Sequence, residues 1–257
     1  MPIDHSHSSR KTDNSLIATI AVYLESYLFP FVFLYSIYEH SLFLWKNADQ
    51  YSTVWQRILS GTTDIQVMIF ISAVLAKLFL ILLNSLIIFG FLIRRNLHKK
   101  PQGFLEIFIP ALGSFFYLLY NYIQYVPEKF NFLILPEKFL LVAVLVGTLL
   151  NLVGAVISSI ATFNLRHSYS LFVEVRDIVI CGLYRRVRHP IYLGYILSTL
   201  GLCFILPKLS YVIVFLISIG ITVFRASLEE RKLLAYSSDY QRYAQITPFL
   251  FPVKRRL

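Results

Sequence analysis

Cysteine is scarce in this chain of 257 residues, which has only Cys181 and Cys203. One falls in an expected loop and the other in an apolar run, without paired or metal-like spacing, so no disulfide framework is expected. Charge is also thin: 15% of residues are Asp, Glu, Lys or Arg, and acids are outnumbered 14 to 24 by bases, for a net +10. A basic balance invites a nucleic-acid partner, but no polar segment is long enough to build a soluble basic face. Excess Lys and Arg held on the cytoplasmic side of a membrane accounts for it. Internal repeats are missing, so the inverted-repeat plan of many transporters has no support. His5, His7, His40, His98 and His167 lack ligand spacing, are read as surface or interfacial, and give no reason to expect a metal.

Apolar residues are abundant instead. They make up 57% of the chain, aromatics make up 16%, and mean hydropathy is +0.65, well past the apolar share of soluble domains. The composition predicts an all-α integral membrane protein. The polar opening "MPIDHSHSSRKTDNS" precedes an apolar segment too long and too aromatic for a cleaved leader, so a retained first span is expected.

A membrane-crossing helix needs about 20 mostly apolar residues. Leu16 to Trp45, Gln66 to Ile93, Phe104 to Val126 and Phe139 to Phe163 qualify, and the first is long enough to tilt or to run on along the interface. A fifth run, Ile191 to Phe224, would reach about 51 Å as one helix, too long for one crossing. "LPKLS" at Leu206 to Ser210 breaks it into two short helices joined by a tight turn. About six transmembrane helices with both termini cytoplasmic then make basic loops (Arg94 to Lys100, Arg166 to Arg188, the tail) alternate with the balanced loops Lys46 to Asp64 and Pro127 to Lys138. Asn84, Asn121, Gln124 and Asn151 are read as bonding between helices, and Gly147 and Gly154 as a close helix contact.

Charge concentrates in the final third. "CGLYRRVRHPIYLGY", Cys181 to Tyr195, sets Tyr184, Arg185, Arg186, Arg188 and His189 just before the fifth apolar run, with Pro190 suited to a helix's first turn. A belt of interfacial Tyr and cationic anchors would explain such a composition, but not its order. Beyond the hairpin, Arg225, Glu229 and Arg231 or Lys232 have the spacing of ordinary helix-surface pairs. Glu229 and Glu230, however, follow a span on the side where cations are favoured. If the hairpin returns the chain to the same face, both segments enclose one pocket offering carboxylates, Arg and aromatic faces.

The series Gly182, Tyr184, Arg188, His189, Pro190, Tyr192, Gly194, then Arg225, Glu229, Glu230, Leu233, Tyr240, Tyr243 and Pro252, resembles the membrane-embedded isoprenylcysteine carboxyl methyltransferase family and its relatives, the phospholipid N-methyltransferases. The resemblance covers about Asn164 to Leu257, dividing the chain into a four-span region, 1–163, and a methyltransferase region, 164–257. It departs where the family commonly has Phe-Gly before the paired tyrosines and this chain has Tyr236, Ser237 and Ser238. It implies S-adenosylmethionine in a cytosol-facing pocket formed by the final third, with a lipid or prenylated acceptor reached from the bilayer.

Carried over by position, the resemblance gives Tyr184, His189, Pro190, Ile191 and Tyr192 around the cofactor, Glu174, Ile178 and Val179 along its approach, and Glu229 toward its cationic region. Arg225 would face a prenylcysteine-like carboxylate, and Glu230 would support the helix or, with His189, serve as base for an amine or thiol acceptor. A sterol-reductase-like enzyme using a nicotinamide cofactor shares a related His-Pro-x-Tyr-x-Gly entrance. That pattern usually has Asn before the Tyr and Glu after the Gly, where this chain has Ile191 and Tyr195. A non-enzymatic transporter would instead spread polar residues along several spans.

Overall fold

The computed structural model describes residues 6–62, 64–95, 97–116, 123, 126–127, 129 and 132–252. Helices dominate: α1 (Ser6–Tyr27), α2 (Phe29–Lys46), α3 (Ala48–Leu59), α4 (Ile65–Ile93), α5 (Leu105–Phe116), α6 (Leu140–Leu165), α7 (Pro190–Ile205), α8 (Leu209–Tyr236) and α9 (Ser238–Ile246). No strand forms among the described residues, only two isolated bridges. Four stretches, Leu16–Lys46, Ile65–Ile93, Glu137–Ser168 and Leu209–Tyr236, are long and apolar enough to cross a membrane, and Leu105–Ser114 and α7 are shorter apolar helices. Large side chains on their outer faces, such as Phe31, Leu149 and Leu216, are more than half exposed, as surfaces meeting hydrocarbon must be.

Local chemistry explains the boundaries. Pro30, in the first turn of α2, has no amide with which to continue the ladder of α1, and the helix restarts after Leu28. Asp64 caps α4 by accepting from the Val67 amide at 2.9 Å. The expected hairpin forms, with α7 ending at Ile205 and α8 starting at Leu209. The Pro207 carbonyl accepts from Ile134 N at 2.9 Å and Leu209 N donates to the Phe132 carbonyl at 3.2 Å, so the preceding loop grips the turn. Only α7 is short; α8 runs 28 residues without interruption, about 42 Å, and carries Arg225, Glu229 and Glu230 past its apolar part. Of the expected third span, α5 is the described portion; most of the remainder, with Asn121 and Gln124, lies outside the described residues.

The tightest packing joins α6 and α7. A Cβ added at Gly147 would sit 2.6 Å from the Gly201 carbonyl, and one at Gly154 would sit 2.5 Å from the Gly194 carbonyl. The two pairs form an antiparallel small-residue seam along which the backbones touch. Between them Asn151 Nδ2 donates to the Ser198 carbonyl at 3.0 Å and Ser198 Oγ donates back to the Asn151 carbonyl at 3.2 Å. Asn84 likewise bonds between helices, donating to Ser36 Oγ at 2.9 Å from α4 to α2. His40 corrects the sequence reading: it is buried, not surface or interfacial, 3.2 Å from Ser36 Oγ. One turn of α2 separates the pair, and α4 covers it.

An irregular segment, 166–189, follows α6. Tyr169, Leu171 and Phe172 anchor it in a cluster with Phe29, Ile87 and Phe91, and Val175 pairs with Lys99 as an antiparallel bridge. The sequence spacing suggested that Lys232 would pair along its own helix with Glu229. It instead crosses to Glu106 of α5 and donates to the carbonyls of Lys100 at 2.7 Å and Val173 at 2.9 Å. A three-donor ammonium with three acceptors from three segments fastens α8 to the loop. Lys232→Met is expected to cost about 3–5 kcal/mol, because it strands the Glu106 carboxylate and two carbonyls. Thermal unfolding in detergent should show the loss, with Glu106→Gln losing less.

Candidate functional site

His189 stands at the N-terminal boundary of α7, held there by backbone as well as side chain. Its amide donates to the Phe249 carbonyl at 3.2 Å and that of Arg188 to the Pro248 carbonyl at 3.0 Å, so the tail after α9 lies against the entrance. Gly182, with φ +58, starts the short turn carrying Tyr184. Its missing side chain leaves room for Asn164, so a larger residue would meet both strain and a clash.

Three groups converge on Glu230. His189 Nε2 lies 3.0 Å from Oε2, Tyr240 donates to Oε2 at 2.9 Å, and Arg188 Nη2 is 2.9 Å from Oε1. Arg188 also donates through Nη1 to the carbonyls of Ala244 at 2.5 Å and Thr247 at 2.6 Å. The carboxylate therefore joins α7, α8 and α9 at one buried point. Beside it, Tyr192 donates to Glu229, Arg225 Nε donates to the same oxygen at 3.3 Å, and Arg225 Nη2 donates to the Leu171 carbonyl at 2.6 Å. The Arg225 guanidinium lies 5.4 Å from the Tyr192 ring centre, and the His189 ring stacks at 5.6 Å from the same ring. Burial holds the phenols of Tyr184, Tyr240 and Tyr243 above their ordinary range, so they stay neutral, and Tyr240 and Tyr243 donate to Glu230 and to the Tyr184 carbonyl.

All of these side chains but Glu230 border a cavity of about 340 Å³. From the sequence-predicted set, Glu174, Ile178, Val179, Tyr184 and His189 line it, as do Ile191, Tyr192, Arg225 and Glu229. Pro190 and Glu230 are not on its wall; Pro190 begins α7 and Glu230 braces from behind. The other end is apolar, lined by Phe33, Phe79, Leu80 and Leu83 from α2 and α4. The cavity thus joins a charged, aromatic end to one suited to hydrocarbon.

Three buried polar atoms on residues of this wall have no hydrogen-bond partner: Glu174 Oε1, Arg176 Nε and Arg188 Nε. Desolvation, and then the neighbouring Glu25 carboxylate, raise the Glu174 carboxyl to about 7. Neither Arg176 nor Glu25 was singled out from sequence. Alternation in "VEVRDIV" carries a signal for the first, since in extended chain residues two apart share a side. An acid inside an apolar span, as Glu25 is, signals a partnered and specialised site by default. The Ser237 substitution in the tail is also explained: its Oγ caps α9 by accepting from the Tyr240 amide at 3.3 Å.

Compared with known families, residues 142–238 match the phospholipid methyltransferase model. The match starts inside α6, upstream of Asn164, consistent with the seam that makes α6 and α7 one packing unit. No curated protein matches the chain.

Proposed function

We propose, from the match of residues 142–238 to the phospholipid methyltransferase family model, that this chain transfers a methyl group from S-adenosylmethionine to a membrane-delivered, lipid-like acceptor, most favourably a prenylcysteine-type carboxylate. The observation carrying the reading is the shared cavity, which brings Tyr184, His189, Tyr192, Arg225 and Glu229 to one end and the apolar faces of α2 and α4 to the other. Its unpartnered Glu174 and arginine atoms suit a donor bearing both charges.

S-adenosylmethionine, when bound, supplies an electrophilic methyl carbon on a sulfonium. The protein's part is alignment and exclusion of water. Glu229 and the Tyr192 and His189 rings offer negative charge and π-faces to a cation. Arg225, held from both sides by Glu229 and Leu171, presents a fixed guanidinium to the acceptor's anionic group. A carboxylate acceptor needs no base. Glu230, occupied by Arg188, His189 and Tyr240, acts as a positioning residue. We assign 164–257, with α6 packed against it, to donor binding and the earlier spans to the acceptor, with about six crossings and both termini cytoplasmic.

The family match suggests a second acceptor, a phosphatidylethanolamine-type amine, for which His189, on the cavity wall, would take the proton. A methyl-transfer assay with labelled donor against prenylcysteine, phosphatidylethanolamine and small thiols decides between them. Base-labile label on prenylcysteine is expected, and Arg225→Ala is expected to reduce acceptor use far more than donor affinity. Transfer to none of the three, with binding of a reduced nicotinamide cofactor, would overturn the proposal.

A further inference from the structure

We infer that Glu174 and Arg176 form a clamp for the zwitterionic amino-acid end of the methyl donor, and that α1, through Glu25, holds this clamp in shape. The inference rests on the donor reading above and names residues that recognise one part of it. Arg176 is buried, with Nη2 2.8 Å from Glu174 Oε2 and Nη1 donating to the Arg95 carbonyl at 2.5 Å. The pair is thereby fixed, yet each partner keeps one unused buried atom, an acceptor at Glu174 Oε1 and a donor at Arg176 Nε. Both residues line the cavity. A native site leaves such atoms unpaired only at appreciable cost, about 1–3 kcal/mol each, unless a ligand satisfies them. An acceptor and a donor on one ion pair complement an α-ammonium beside an α-carboxylate. The adenosine part of the donor has no such charge pair.

Glu25 stabilises the arrangement from the first span. Its carboxylate is fully buried, pairs with Arg94 at 3.0 Å, and accepts from the Leu171 and Phe172 amides. Ser170 lies between the acids, 3.1 Å from Glu25 Oε1 and 3.0 Å from Glu174 Oε2. The charged and titratable groups around Glu174 are therefore Glu25 from α1, whose carboxyl hydrogen-bonds that of Glu174 and has Arg94 at the end of α4 behind it, Arg176 on the loop, and Lys232 from α8, which reaches the adjacent Val173 carbonyl. Because Glu174 titrates at about 7, the clamp gains its negative charge as pH rises through that value. Donor affinity should rise with it.

Calorimetry on the full chain in detergent, with S-adenosylmethionine and with 5′-methylthioadenosine, which lacks the amino-acid end, tests the clamp. The native protein is expected to prefer the former, and Arg176→Gln to weaken it by about tenfold or more while leaving methylthioadenosine within about twofold. Retained methylthioadenosine binding reports that the pocket is intact. The preference should shrink as pH falls below about 7, with methylthioadenosine affinity unchanged. Equal native affinity for both compounds, a preference that survives Arg176→Gln, or equal loss of both would overturn the clamp. Native protein that binds neither compound would instead overturn the donor reading.

Discussion

Gly154→Leu is expected to abolish the folded protein, and Gly154→Ala to lower its thermal midpoint sharply. Even one added carbon would approach the Gly194 carbonyl to 2.5 Å and Ser198 N to 2.5 Å. Those neighbours are backbone on a helix that cannot rotate away without breaking the Asn151–Ser198 bonds. Overpacking typically costs about 1–3 kcal/mol where side chains can adjust, and here backbone would have to move. Gly220→Ala is the matched control: it lies in a long helix with nothing within 4 Å of an added Cβ, so helix propensity alone predicts a gain of about 0.5–1 kcal/mol. Similar midpoints for Gly154→Ala and the native chain would show that the seam is not a close contact.

Glu230→Ala is expected to have the second-largest effect. It removes the carboxylate on which Arg188, His189 and Tyr240 converge, leaving a buried guanidinium with only its two carbonyl acceptors. Removing one partner of a buried pair costs about 3–5 kcal/mol. The site should suffer with the fold, because the same carboxylate orients the His189 ring stacked against Tyr192. Glu230→Gln, which keeps the shape and one acceptor oxygen, should retain more stability, and a double-mutant cycle with His189→Ala should show the two positions to be coupled. Additive losses would mean that Glu230 does not position His189.

These effects separate what is readable along the chain from what is not. The apolar runs, the break at Pro207, the Gly147 and Gly154 contact and the ordered motif from Gly182 to Gly194 are legible because each depends on local spacing or on the length a bilayer imposes. Lys232 shows the limit. Helix periodicity offers it Glu229, but Glu106, 126 positions earlier, takes it instead, since α5 brings a carboxylate and the loop brings two carbonyls to a position that a same-helix partner would leave half solvated. His40 is similar: no pattern in α2 says which face α4 will cover.

Membrane helices, the hairpin and the residue types of the site followed from the sequence, because hydrocarbon requires internally bonded backbone and the site's chemistry depends on side chains close together along the chain. The tertiary structure decided which charges meet. It gave Glu230 to three partners, drew Glu25 from the first span under the loop of Glu174 and Arg176, and left two polar atoms of that pair unsatisfied at the cavity wall. Burial makes each of those choices costly to reverse, and burial is a property of how the helices pack rather than of any one segment.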